Sequence, residues 1–342
     1  MAQISVPRQS RSMSAQLNAL IFLSFSACGL GGLYLLQHPE HLAIWNVFGL
    51  ISLGVVGIWR WSWFLIRMLR AQYYLHWVFP CWRKLAHQVP LADLPHLCFL
   101  VPTYREKPWI TERVFCAIAQ AAKTLARPVT VLVNSSGDAE NEAIRAILER
   151  ADPGLHSIRL IQMTQQDGKR KAMADGLRAL ARLNLPDDTV IALMDGDSEL
   201  SPETLRRCLP FFRLFPKMGA LTTDEQPVVQ GSYLFSEWFH LRFAQRHLQM
   251  CSDALAHKVL CLTGRFSLFR AEVALHPSFV NQLQQDSLDD WLWGRFEFLS
   301  GDDKSTWYWL LQRRYDMLYI PDVVVNSIET LTGSVVDRAY SN

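Results

Sequence analysis

Two apolar stretches open the chain, Leu17 to Leu36 and Leu42 to about Trp59. The short polar break Gln37-His38-Pro39-Glu40-His41 separates them. Each approaches the roughly 20 residues that a helix needs to cross a bilayer, so the pattern predicts a transmembrane helical hairpin. Arg8 and Arg11 precede the first stretch, and Arg60, Arg67, Arg70, Arg83 and Lys84 follow the second. The loop between has no Lys or Arg. That distribution places both outer flanks in the cytoplasm. Trp59, Trp61, Trp63, Tyr73, Tyr74 and Trp77 suit an interfacial belt. The stretch from Arg67 to Lys84 suits an amphipathic helix along the membrane surface. A cleaved signal peptide and a pair of buried core helices are the competing readings.

After a linker around Pro90 to Pro95 the period changes. Short apolar runs predict strands at Cys98–Val101, Val129–Val133, Ile158–Met163 and Val190–Met194. Helical patterns fall between them at Trp109–Leu125, Glu140–Arg150 and Arg170–Leu183. This alternation implies an α/β fold with a doubly wound, mostly parallel sheet. The later half is less regular. It predicts helices at Pro202–Phe215, Ser232–Ala256 and Asp303–Arg314, and strands at Gly219–Thr223, Val259–Leu262 and Met317–Asn326. The expected organisation is therefore a tail with two membrane helices to residue 66, an interfacial helix and linker over 67–95, a cytoplasmic domain over 96–330 and a tail over 331–342.

Half of the 342 residues are hydrophobic, only 19% are charged, and the formal net charge is +2. Nothing in that balance points to nucleic acid. The seven cysteines are odd in number and form no Cys-x-x-Cys pair, which argues for buried free thiols over a zinc ribbon or disulfide framework. No Gly-x-Ser-x-Gly elbow, Walker loop or Gly-x-Gly-x-x-Gly fingerprint occurs.

Two acidic clusters carry the candidate chemistry. Asp195-Gly196-Asp197 follows the Val190–Met194 run, at the strand end where open α/β sheets bind ligands. Residues two apart in an extended segment face one side, so Asp195 and Asp197 can hold one Mg²⁺ or Mn²⁺ against a diphosphate. The alternative is a solvated turn with Gly196 at positive φ. Gly301-Asp302-Asp303-Lys304 opens a predicted helix. It could be an N-cap cluster or the source of a general base, with Asp303 and Asp302 the candidate catalytic pair. Gly168-Lys169-Arg170-Lys171 opens the helix after the third strand, where Lys169 and Arg170 could meet donor phosphates or form an ordinary basic turn. Thr103, Tyr104 and Glu106 end the first strand, a usual place for base or ribose contacts. Gln245, Arg246 and His247 share an aromatic-rich helix with Trp238, which is either core or a sugar platform.

As a set, Val101-Pro102-Thr103-Tyr104, Gly168-Lys169-Arg170, Asp195-Gly196-Asp197, Thr263-Gly264-Arg265 and Gly301-Asp302-Asp303 resemble the family 2 glycosyltransferases and their GT-A fold. Within that family the stretches Ser236-Glu237-Trp238, Leu241 to His247, Met250-Cys251-Ser252 and Phe298 to Ser305 are most similar to the alginate polymerase catalytic subunits, the mannuronan synthases. The resemblance implies inverting transfer of a sugar, GDP-mannuronate being the expected donor, onto a growing β-1,4 polysaccharide. It implies that Asp195 and Asp197 hold the metal diphosphate, that Asp303 is the base beside Asp302, and that Thr263, Gly264, Arg265 and Trp238 meet the acceptor. It further implies a bacterial inner-membrane location, contact with membrane lipid, and a partner subunit that binds cyclic di-GMP. Asn134-Ser135-Ser136 stands where the family usually has an Asp for uracil, consistent with a guanosine donor. The chain also stops at Asn342 without a Gln-x-x-Arg-Trp segment or further membrane spans. A truncated or catalytically incomplete subunit acting as a scaffold, and a non-processive family 2 transferase with another donor, are therefore the alternative expectations.

Overall fold

The apolar runs read as strands lie in the interior of a sheet. In the computed structural model β1 (Leu97–Pro102), β2 (Val129–Ser135) and β4 (Val190–Met194) are buried along their whole length, as parallel strands covered on both faces must be. β3 (Ile158–Thr164) is the half-exposed edge. The structure describes residues 47–230, 233–285, 287–290, 294–297 and 301–330, with positions 23, 27, 30, 31 and 34.

These four strands pair in parallel in the order β3-β2-β1-β4. Helices Pro108–Ala122, Asp138–Ala151 and Lys169–Ala181 alternate with them. The remaining strands are β5 (Ser198–Glu199), β6 (Met218–Gln230), β7 (Phe266–Arg270), the isolated pair β8 (Ser287–Asp290) and β9 (Gly294–Glu297), and β10 (Asp316–Thr330). The full order is β3-β2-β1-β4-β7-β6-β10-β5. β7 runs antiparallel to both β4 and β6, β10 is parallel to β6, and β5 is antiparallel to β10. The expected sheet is thus mixed beyond β4.

Val259–Leu262 is not a strand. It is a loop whose Val259 carbonyl accepts the Trp307 indole N–H at 2.8 Å, and the strand starts at Phe266. Thr263-Gly264-Arg265 therefore enters a strand instead of leaving one. The helix expected over Pro202–Phe215 divides into Thr204–Cys208 and Phe211–Leu214. Pro210, which has no N–H to continue the ladder, sits at the break.

The chain forms two units, residues 1–64 and 65–342. The first apolar stretch and the tail over 331–342 lie outside the described residues, apart from isolated helical positions in the former. A helix starts at Val47, inside the second stretch, and continues past Trp59 to Tyr73. Among the described residues no helix is long and apolar enough to cross a membrane. In the second unit a π-turn (Tyr74–Val78) and helix Phe79–His87 follow. This segment packs on the α/β domain. Tyr74, expected in an interfacial belt, is fully buried, and its hydroxyl donates to the Tyr319 carbonyl at 2.6 Å. Arg83 donates through Nε to Asp322 at 2.8 Å, and its guanidinium lies over the Phe79 and Phe211 rings. The six described cysteines are all free.

Candidate active site

The site forms where β4 ends beside the start of β7. Asp195 N–H donates to the Arg265 carbonyl at 3.3 Å, and Ile328 N–H on β10 donates to the Asp197 carbonyl at 3.1 Å. Gly196 is not at positive φ. A Cβ there would lie 3.1 Å from Thr103 Cγ2 and 3.2 Å from the Pro102 carbonyl. Close packing against the end of β1, not turn conformation, calls for this glycine.

Helix Lys169–Ala181 begins directly opposite. Lys169 Nζ lies 2.7 Å from Asp195 Oδ1 and 2.9 Å from Asp302 Oδ2, so one ammonium joins the two acidic clusters. Burial pushes the Asp195 carboxyl up to about 6 against the opposing pull of Lys169, with Asp302 and Asp197 adding to the rise. For Lys169 burial works in the lowering direction, but Asp195 and Asp302 outweigh it and raise its pKa. Gly264 faces this group. A Cβ at Gly264 would stand 3.4 Å from Asp195 Oδ2, 3.5 Å from Lys169 Nζ and 3.7 Å from Asp302 Oδ2. Arg265 pairs with Asp197 Oδ2 at 3.2 Å.

Asp302 and Asp303 lie in the first turn of helix Asp302–Gln312, after Gly301 at φ +88°. The capping alternative does not describe them, because Gly301 is the N-cap and makes no side-chain cap. Asp302 is spent on Lys169. Asp303 Oδ1 accepts from the Lys304 N–H at 2.9 Å and has no ion pair among the described residues.

Two cavities meet at Lys169 and Asp195. One, of about 470 Å³, is lined by Thr103, Tyr104, Glu106, Gln165, Gly168 and Asp197. The other, of about 580 Å³, is lined by Glu225, Arg242, Arg246, Gly264, Asp302 and Asp303. The first lies at the carboxyl ends of the parallel strands, the expected ligand crevice. In it burial, followed by Asp197, Glu140 and Asp195, raises the Glu106 pKa. Thr103 Oγ1 is buried there without a hydrogen-bond partner among the described residues.

Most of the expected site residues converge on these cavities, and two do not. Arg170 turns to the Leu283 carbonyl (3.4 Å) and Ser305 Oγ (3.3 Å), away from the donor-side cavity. Trp238 lines neither cavity. Arg242 lies over its ring at 4.8 Å, and Phe239 and Arg242 present the helix to the cavity instead. Lining residues not anticipated as site members include Gln165, Glu225, Phe239, Phe243 and Gln249. Positions 239, 242/243, 246 and 249 recur every three to four residues, so one helical face was the available signal.

No group of three or more His, Cys, Asp or Glu side chains among the described residues is arranged to hold a metal. The two-carboxylate set nevertheless fits a hard cation. Asp197 Oδ1 is buried without a hydrogen-bond partner among the described residues, and Asp195 already holds a cationic group at 2.7 Å. Mg²⁺ commonly takes only one or two protein carboxylates, with substrate phosphates and water completing its shell.

Residues 95–339 match the family described as glycosyltransferase like family 2. The chain is 37% identical over 283 residues to "Glycosyltransferase alg8" of Pseudomonas syringae pv. tomato, covering 81% of this chain and 56% of that one. It is 34% identical over 287 residues to the protein of the same name from Azotobacter vinelandii, covering 82% and 57%. The chain thus spans a little over half the length of these relatives. Among solved structures it is similar to a Pyrobaculum calidifontis mannosyltransferase in complex with GDP-Man and Mn²⁺. That likeness has 18% identity, covers 79% of this chain and 69% of that one, and has a TM-score of 0.47.

Proposed function

This chain belongs to the glycosyltransferase-like family 2, and we propose that it moves a sugar from a nucleotide-diphosphate donor, GDP-mannuronate, onto a β-1,4-linked uronate polysaccharide. One observation carries the reading: two cavities share a wall at Lys169 and Asp195, and Asp303, a carboxylate without an ion pair among the described residues, lines the second. The nucleotide would occupy the cavity lined by Thr103, Tyr104 and Glu106. The acceptor would occupy the cavity lined by Asp303, Gly264 and Arg242.

In this reading Asp195 and Asp197 hold Mg²⁺ or Mn²⁺, which when bound neutralises charge on the departing diphosphate. Lys169 adds a fixed positive charge beside the same oxygens. Asp303 takes the proton of the acceptor hydroxyl as that oxygen attacks the anomeric carbon, and the nucleoside diphosphate leaves from the opposite face. The configuration therefore inverts. Asp302 positions Lys169 through their 2.9 Å ion pair.

We further propose attachment to the bacterial inner membrane with the α/β domain cytoplasmic, and work with a cyclic-di-GMP-binding partner subunit. The basic residues flanking the apolar stretches support the first. The resemblance of the Leu241 to His247 and Phe298 to Ser305 stretches to the alginate polymerase catalytic subunits is the ground for the second. Calorimetric titration with GDP-mannuronate, with and without Mn²⁺, tests the central reading. Metal-dependent binding is expected. If no nucleotide sugar binds under either condition, the transferase reading fails.

A further inference from the structure

The four cations and four carboxylates that line the acceptor-side cavity are not all paired. Its lining cations are Lys169, Arg242, Arg246 and Arg265. Lys169 is held by Asp195 and Asp302, and Arg265 pairs with Asp197. Arg246 donates to Glu225 at 2.9 Å and also reaches Cys261 Sγ at 3.5 Å. Glu225 is nearly inaccessible, its side chain 3% exposed, so Arg246 neutralises a buried anion and is not available to a ligand. Arg242 alone has no carboxylate partner among the described residues.

Its surroundings prepare Arg242 for a carboxylate. The guanidinium lies over the Trp238 ring at 4.8 Å, which fixes its plane and leaves its edge N–H groups to donate. One helical turn before Arg242 lies Phe239, and about one and two turns after it lie the donors Gln245 and Gln249. Phe243, stacked at 6.2 Å on the buried Phe239, offers apolar surface to a sugar ring. The lining face of the helix carries no acidic residue. The pattern of one guanidinium backed by an indole, amide donors and an aromatic ring matches a sugar that bears a carboxylate.

We infer that Arg242 is a specificity-determining residue that binds the carboxylate of a uronate unit in the acceptor glycan, so that the cavity selects an acidic chain over a neutral one. The inference rests on the proposed placement of the acceptor in the cavity beside Asp303. It concerns recognition only and adds no bond-making step. A bidentate guanidinium–carboxylate pair is planar and charge-assisted, so lysine replaces it poorly.

Titration of the full chain in detergent with a β-1,4-linked mannuronate oligosaccharide, and with the neutral β-1,4-mannose oligosaccharide of equal length, tests this. The wild type should bind the acidic probe roughly tenfold or more tightly than the neutral one, the worth of one good charge-assisted pair. Arg242→Gln should abolish that difference, and Arg242→Lys should retain part of it. Binding of GDP with Mn²⁺ should be the same in all three proteins, showing that the variants are folded. Equal wild-type affinity for the two probes overturns the inference. So does binding of neither probe, or undiminished discrimination by Arg242→Gln. If discrimination follows Arg242 but no GDP binds, the donor-site reading falls and the carboxylate site stands.

Discussion

Lys169 Nζ lies 2.7 Å from Asp195 Oδ1, and the same ammonium reaches Asp302 Oδ2 at 2.9 Å. A single cation therefore holds together the carboxylates of two acidic clusters from distant parts of the chain. Asp195 has a carboxyl pKa of about 6, raised by burial and restrained by Lys169. A cation ligand must be ionised, so metal-dependent GDP binding should grow as pH rises through about 6. Removing a nearby cation raises a carboxyl pKa further. Lys169→Met should therefore move the midpoint of the binding profile to higher pH, as measured by calorimetry across a pH series. An unmoved midpoint would show that Lys169 does not govern Asp195.

Asp303 has no ion pair among the described residues, and its known contact is the Lys304 N–H at 2.9 Å. Asp303→Asn preserves shape and removes the proton acceptor. Sugar transfer should fall by on the order of 10²- to 10⁴-fold, the usual worth of a general base. GDP binding should stay within a factor of about two, since the change is confined to the second cavity. Transfer at the wild-type rate would remove Asp303 from the chemistry.

Gly301 holds φ at +88°, and a Cβ there would fall 2.2 Å from Asp303 Oδ1. Gly301→Ala should cost about 1–2 kcal/mol of stability through backbone strain. It should also push the Asp303 carboxylate out of place. Urea unfolding reads the first effect and a transfer assay reads the second, with a rate loss of more than about tenfold expected from misplacement.

Arg83 donates to Asp322 through Nε at 2.8 Å and to the Arg207 carbonyl through Nη1 at 2.6 Å, and Arg207 also pairs with Asp322. Arg83→Met should cost about 1–3 kcal/mol, less than loss of a fully buried pair because Arg207 still faces Asp322. Chemical denaturation checks the value. A neutral outcome would mean that helix Phe79–His87 is held by its ring contacts alone.

The parallel half of the sheet is legible in the sequence because β1, β2 and β4 are covered on both faces and so read as continuous apolar runs. The mixed half is less so. Val259–Leu262 has a strand's composition, but its Val259 carbonyl goes to an indole from another helix, a long-range contact with no local signature. The site divides similarly. Asp195, Asp197 and Asp303 stand at element ends that the pattern marks. Lys169 and Arg170 are neighbours in one helical turn, where a step of about 100° sends one to the carboxylates and the other to Leu283 and Ser305. Helix Tyr233–Ala254 carries aromatic side chains around its circumference, so composition does not show that Arg242 faces a cavity while Trp238 lies beneath it.

The Lys169 bridge has a consequence for the order in which this molecule assembles. Asp195 and Asp302 are separated by roughly a hundred residues, and loops of that length close late and at an entropic cost. The sheet from β2 through β1 and β4 to β7 can form before helix Asp302–Gln312 arrives, but the Lys169 bridge cannot. Native-state hydrogen exchange should accordingly find amides near Ser305 opening at lower free energy than those of β1 and β4. Chemistry in this fold would then depend on the part of the molecule that is last to consolidate and first to let go.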